Sequence, residues 1–212
     1  MVTANRNEPF SRLSVFDLAC GNLRFESFLK KELGEIPLAI YAVDNCEDLV
    51  PCSEATHFQS LDIVGALLER KSLAACIEAP KCDLAVSFGF MHHVPGMQNR
   101  EEVLRQLVRQ TKPSGYVMVS FWQFMKNEEM GKKAYATHEE ALAKLPSLNL
   151  DEGDFLLGWK NQPGVYRYCH SFSETEINQL VEAVKNEARL IARFSSDGRG
   201  DNLNTYLIFQ VS

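Results

Sequence analysis

The stretch Ser14-Val-Phe-Asp-Leu-Ala-Cys-Gly-Asn-Leu-Arg24 constrains the fold of this chain more than any other. An apolar run ends in an acid, a turn of small residues follows, and helical spacing begins at Phe25. A strand that runs into such a turn and then a helix opens a parallel sheet with covered faces. The next apolar run, Leu38 to Val43, also stops at an acid, Asp44. A carboxylate at the carboxyl end of the second strand can accept both ribose hydroxyls of an adenosine.

The rest of the chain repeats that alternation. The first strand covers Val15–Leu18. Phe25, Phe28, Leu29 and Leu33 mark the apolar face of the first helix, which Gly34 can end. A third strand lies near Phe58–Leu61 and ends at Asp62, with Ile63, Leu67 and Leu68 on the helix after it. Asp83–Phe88 is apolar on both faces and reads as a central strand. Val103, Leu104, Leu107 and Val108 mark the next helix, Lys112-Pro-Ser-Gly115 a turn, and Tyr116–Phe121 the fifth strand. Ser173 with Glu176 spells a capping box. Two last strands, Arg189–Phe194 and Thr205–Val211, are joined by the polar link 195–202, which suits an antiparallel hairpin. Residues 122–172 are too many for a plain crossover. They read as an insertion over the carboxyl edge of the sheet, where open sheets bind ligands. The expectation is one domain over 1–212, with 122–172 as a substrate-side cap.

Composition excludes little but directs the search. Apolar residues at 45% and charged residues at 24% suit a globular chain, and a net charge of -6 announces no basic face for nucleic acid. The six cysteines form no C-x-x-C pair, so no metal is expected. The amino terminus has no apolar core for a signal peptide and no run spans a bilayer. A cytoplasmic location without membrane contact is therefore expected, with cysteines as free thiols.

A dinucleotide site wants G-x-G-x-x-G, so that pyrophosphate can approach backbone. Here Ala19, Gly21 and Arg24 occupy those positions, and two glycines are missing. S-Adenosylmethionine carries no phosphate and needs only a turn passing close to its methionine part. Asp17-Leu-Ala-Cys-Gly-Asn-Leu-Arg24 resembles the D-x-G-x-G-x-G motif of class I methyltransferases, with Gly21 as the central glycine. Ala19 replaces the first glycine, and Leu23 replaces the last and adds bulk. Asp44 falls where that family's ribose-binding acid falls, and Asp62 where an acid or amide meets the adenine amino group. Ser87-Phe-Gly-Phe-Met-His-His-Val94 resembles the fourth motif, and Lys112-Pro-Ser-Gly115 the turn before strand five. The resemblance implies an α/β, Rossmann-like class I methyltransferase fold. It predicts a seven-stranded, mostly parallel sheet with an antiparallel last strand and an insertion after strand five. It implies S-adenosyl-L-methionine as cofactor, held by Asp17, Ala19, Gly21, Asn22 and Arg24 in the first turn. Asp44 and Asn45, then Asp62 and Ile63, then Phe88, Phe90 and His93 complete that set. Two readings stay open at several positions. Asp17 caps the turn or meets the cofactor's amino group, Asp62 caps a helix or meets adenine, and His92 and His93 pack or act as bases.

Two patches of the insertion resemble the methyltransferases that complete 5-carboxymethyl groups on tRNA wobble uridine. Those enzymes carry G-D-x-x-V-P-W and then R-Y-Y-H. Here Gly153, Asp154 and Trp159 match the first segment, with Gly158 in place of proline. Arg167, Tyr168 and His170 match the second, with Cys169 in place of a tyrosine. The resemblance implies a carboxylate acceptor, tRNA as partner, and a small activating subunit. Arg167 is then the clamp on one carboxylate oxygen, with Tyr168 and His170 orienting the acceptor. Trp122, Asp154 and Trp159 would bind substrate, the tryptophans by stacking. In the opposing structural reading, Arg167 pairs with Asp154, and Tyr168 and His170 seal the cap. The rival activities are methylation of a small molecule and a non-catalytic partner protein, for which Leu23 is the argument.

Overall fold

The computed structural model describes residues 12–49, 56–159, 162–198, 200 and 202–212. Cys52 and two positions of the predicted 195–202 link, 199 and 201, lie outside them. In chain order the elements are β1 (Leu13–Leu18), α1 (Arg24–Leu33), β2 (Leu38–Asp44), β3 (Thr56–Ser60), α2 (Ile63–Leu68) and α3 (Leu73–Cys76). Then come β4 (Cys82–Ser87), α4 (Met97–Arg109), β5 (Thr111–Trp122), α5 (Glu128–Lys144), β6 (Asp154–Gly158) and β7 (Tyr166–His170). The chain closes with α6 (Glu174–Val184), β8 (Ala188–Ser196) and β9 (Asn204–Val211).

Seven strands form one sheet in the order β3-β2-β1-β4-β5-β9-β8. The first five are parallel neighbours, and β9 runs antiparallel to both β5 and β8. The expected sheet and its antiparallel last strand are thus observed. Strand order reverses between β1 and β4, and a crevice at such a switch point is where open sheets take ligands. Alternation along β1 sends Phe16 and Leu18 to the core under α2, α4 and α6, and Val15 to the core under α1.

Several local readings shift. The third strand begins two residues earlier than expected, at Thr56. The turn Lys112–Gly115 does not precede the fifth strand but lies inside β5 as an irregularity, with Ser114 at φ 64°. A Cβ on Gly115 would sit 2.7 Å from the Asp83 carbonyl oxygen, so glycine is required there. Phe28 and Leu68, read as apolar-face residues, are exposed, while Glu26 faces the core. The capping box forms as read: Ser173 Oγ accepts from Glu176 N, and Glu176 accepts from Ser173 N at 2.9 Å.

Between β5 and α6 stand α5 and the β6-β7 hairpin, a separate two-stranded sheet. Phe124, Ala134, Phe155 and Cys169 form the buried cluster that joins helix to hairpin. β7 lies against the turn Met91–His93 that follows β4, so the hairpin sits at the carboxyl edge of the main sheet. The five described cysteines are free, and no described helix is long and apolar enough to cross a membrane.

Candidate active site

The turn after β1 makes its shape with three left-handed residues, Ala19 (φ 65°), Gly21 (φ 53°) and Leu23 (φ 57°). Left-handed backbone at a leucine costs about 1–2 kcal/mol. Here the cost is offset because Leu23 buries its side chain under α1, with Val15, Leu38 and Ile40. Leu23 therefore leaves the cavity free, and the bulk expected from sequence points into the core. Asp44 fixes the turn from the next strand: its Oδ2 accepts from Gly21 N at 2.9 Å and its Oδ1 from Cys46 N at 3.0 Å. Ser87 Oγ donates to the Leu18 carbonyl at 2.9 Å and pins the end of β4 to the end of β1.

These elements wall a cavity of about 470 Å³ at the switch point. All twelve residues that the resemblance assigned to the cofactor line it: Asp17, Ala19, Gly21, Asn22, Arg24, Asp44, Asn45, Asp62, Ile63, Phe88, Phe90 and His93. Asp62 also caps α2, accepting from Gly65 N at 2.9 Å, so one of its open readings is realised and the other stays available. Phe88 is braced edge-on by Phe25, with ring centroids 5.0 Å apart.

The cavity is acidic. Asp17, Asp44 and Asp62 stand against Arg24, which suits a ligand carrying an ammonium and a sulfonium. Burial raises the Asp17 carboxyl well above the usual carboxylate range, and the neighbouring Glu26 and Asp44 carboxylates add to that. Burial and the same three acids push the Cys20 thiol up. Glu26 is buried, with its carboxyl beside that of Asp17. That residue was invisible to the apolar-face reading, although an acid inside the helical stripe of Phe25, Leu29 and Leu33 is a legible signal. At the cavity rim, His93 Nδ1 donates to the Tyr168 carbonyl at 3.1 Å. Burial holds the His93 imidazole neutral and pushes His92 down to about 2.

The insertion residues divide into two groups. Arg167 holds its guanidinium 4.8 Å above the Trp159 ring and 5.8 Å from that of Trp122, in cation–π geometry. Its Nε is buried without a partner. All three line a groove of about 680 Å³ between α5 and the hairpin, together with Phe124, Met130 and Tyr166. Trp122 also packs on His92, with centroids 4.9 Å apart, so the groove adjoins the histidine turn that rims the first cavity.

Asp154, Tyr168 and His170 are not brought to either cavity. Asp154 Oδ1 accepts from Arg100 at 3.1 Å, from the Tyr168 hydroxyl at 2.6 Å and from His170 Nδ1 at 2.7 Å. His170 Nε2 donates to Glu176 at 2.8 Å, and Arg100 also donates to Tyr168 at 2.8 Å and to the Val94 carbonyl at 2.9 Å. Two cations face two carboxylates, and His170 and the Arg100 side chain are buried. Burial opposes the charge on His170, but the two carboxylate bonds outweigh it and raise its pKa. Arg167 does not pair with Asp154, as the structural reading supposed; Arg100 does. Sequence reasoning missed Arg100 because its partners lie 54 and 68 positions away.

Residues 16–119 match the methyltransferase-domain family. The chain is 23% identical over 205 residues to the tRNA (carboxymethyluridine(34)-5-O)-methyltransferase ALKBH8 of Mus musculus, covering 92% of this chain and 26% of that protein. The protein of the same name from Macaca fascicularis is 23% identical over 121 residues, 57% of this chain and 16% of that protein. The chain spans about a quarter or less of the length of these curated relatives. Among solved structures it is similar to a SAM-dependent methyltransferase of Methanosarcina mazei, with TM-score 0.64 and 16% identity over 95% of this chain and 93% of that one. It is also similar to the N-methyltransferase NodS of Bradyrhizobium japonicum in complex with S-adenosyl-L-homocysteine, with TM-score 0.55 and 9% identity over 94% of this chain and 78% of that one. Those two likenesses concern the fold. The methyltransferase-domain match over residues 16–119 falls on the elements that wall the acid-lined cavity at the switch point, and with it this span is a methyltransferase domain that uses S-adenosylmethionine.

Proposed function

We propose that the chain methylates a carboxylate, with carboxymethyl-uridine of tRNA as the favoured acceptor. The observation that carries this reading is Arg167, a cation held between two indole rings with a buried, unpartnered Nε. S-Adenosylmethionine, when bound, supplies an electrophilic methyl group on a sulfonium. A carboxylate is already anionic and needs no base. The work left to this chain is to align the oxygen, exclude water and steady the charge. Arg167 binds one carboxylate oxygen by a charge-assisted bond while the other is presented to the first cavity. Trp122 and Trp159 offer flat surfaces to a base. The segment 122–172 serves as the acceptor-side cap. Asp154, Tyr168 and His170 hold that cap in place rather than touch the acceptor. A small activating subunit, as the resemblance implies, belongs to the same reading.

One observation favours a small-molecule acceptor instead. Lys132, Lys133 and Lys144 on α5 are each paired with a glutamate one turn back, so this helix carries no surplus of basic charge for a phosphate backbone. Methyl transfer to carboxymethyl-uridine tRNA, with and without an added subunit, is compared with transfer to free carboxylates. Turnover only on free carboxylates selects the second acceptor. Arg167→Ala should keep S-adenosyl-L-homocysteine affinity and lower kcat/KM about 10- to 150-fold, the worth of one charge-assisted bond. Asp44→Ala should lose that affinity. Equal loss of cofactor affinity in both variants would contradict this division of the site.

A further inference from the structure

Among the described residues, one group of histidine and cysteine donors is gathered closely enough to hold a metal ion, and it sits at the rim where the two cavities adjoin. One ring nitrogen each from His92 and His93 and the Cys169 sulfur fall within 4.8 Å of one another. We propose that His92, His93 and Cys169 form a site for a thiophilic metal ion of the zinc class.

The residues come from two elements that the fold presses together. His92 and His93 occupy the turn Met91–His93, and Cys169 comes from β7 lying across it. The Cys169 sulfur is 3.9 Å from His93 Nδ1. His92, only 8% exposed, keeps a buried Nδ1 with no hydrogen-bond partner, which marks a donor without a ligand. Nitrogen and thiolate donors on zinc, at bond lengths of about 2.0–2.3 Å, stand about 3.3–3.8 Å apart in a tetrahedron. The His93–Cys169 pair is already close to that spacing, and the widest pair must draw in by about 1 Å. Ligation through His93 Nδ1 takes the tautomer with the proton on Nε2 and gives up the bond to the Tyr168 carbonyl. Three donors leave a fourth position for water or an exogenous ligand.

Charge sets the demand on the thiol. The nearby Arg167 cation, two positions before Cys169 and stacked near Trp122, which also packs on His92, opposes an incoming cation. Only a thiolate at Cys169 compensates, so this site needs its cysteine more than its histidines. It was illegible in sequence because the donors are 76 positions apart and form no C-x-x-C pair.

The test is direct binding of Co²⁺ to chelator-treated protein, followed by displacement with Zn²⁺. The expected result is one equivalent of Co²⁺ with thiolate-to-cobalt charge-transfer absorption. Cys169→Ser should abolish that band, Cys46→Ser should keep it, and His92→Gln should weaken binding by more than the roughly 10-fold that loss of an outer contact costs. A Zn²⁺-dependent rise in Tm of the unmodified chain, absent in His92→Gln, gives a second measurement should Cys169→Ser fold poorly. No saturable uptake, or a band that survives Cys169→Ser, overturns the site.

Discussion

Replacing Asp154 by asparagine separates two roles that the hairpin could assign to it. The carboxylate oxygen Oδ1 takes hydrogen bonds from Arg100, Tyr168 and His170, and Oδ2 takes one from Asp151 N at 3.2 Å. Its side chain is buried, and two of the four donors are cations. Asparagine keeps the volume and removes the charge. Arg100 and His170 are then left with Glu176 as their remaining counter-ion, and one asparagine NH₂ must point at a donor. Removing one partner of a buried ion pair costs about 3–5 kcal/mol. For a chain of this size each kcal/mol moves Tm by about 2–4 °C, so Asp154→Asn should melt roughly 6–20 °C lower. Thermal melts by circular dichroism, with kcat and KM measured well below the new transition, test this. A Tm unchanged within about 2 °C, with KM for the acceptor raised more than about tenfold, would refute it and return Asp154 to the acceptor.

The same network predicts a pH signature. His170 has a raised folded pKa, so its contribution is full below its unfolded value of about 6.5 and fades as pH rises through the folded value. His92 and His93 are depressed and act oppositely, losing stability as pH falls below about 6.5. The stability difference between the unmodified chain and His170→Gln, from urea denaturation, isolates the first group. It should shrink as pH rises above about 6.5, and a pH-independent difference would contradict the assignment. Leu23→Gly restores the glycine of the first motif and relieves about 1–2 kcal/mol of left-handed strain. It also deletes a buried leucine side chain, worth about 2–5 kcal/mol, so the variant should be less stable with S-adenosyl-L-homocysteine affinity unchanged. A stability gain, or a marked change in that affinity measured by calorimetry, would place the Leu23 side chain in the cavity after all.

The cofactor cavity was legible because its parts sit at strand ends. Asp17, Asp44 and Asp62 each close an apolar run, and a parallel sheet places the carboxyl ends of β1, β2 and β3 side by side. Composition of a few neighbouring residues is enough for that inference. The rotation of α1 was not legible. The apolar spacing of Phe25, Phe28, Leu29 and Leu33 fits more than one arc. The arc chosen buries Glu26 beside Asp17 and exposes Phe28. The local rule gives way where an acid lies under the site, as expected where function competes with packing.

The hairpin shows the other limit. Strand β7 is five residues long, and its alternation serves two purposes at once. Arg167 and Cys169 turn toward Trp122, Trp159 and the histidine turn, while Tyr168 and His170 turn toward Arg100 and Asp154. Sequence alone could pick out the segment through its resemblance to the R-Y-Y-H patch. It could not say which half faces the groove, since that follows from the pairing of Leu157 with Arg167 and of Asp154 with His170. A slip of one residue would exchange the two halves and bury Arg167 against Arg100. The ion network is therefore what fixes the register, and the placement of Arg167 between its two indoles is a consequence of charges on the opposite face of the same strand.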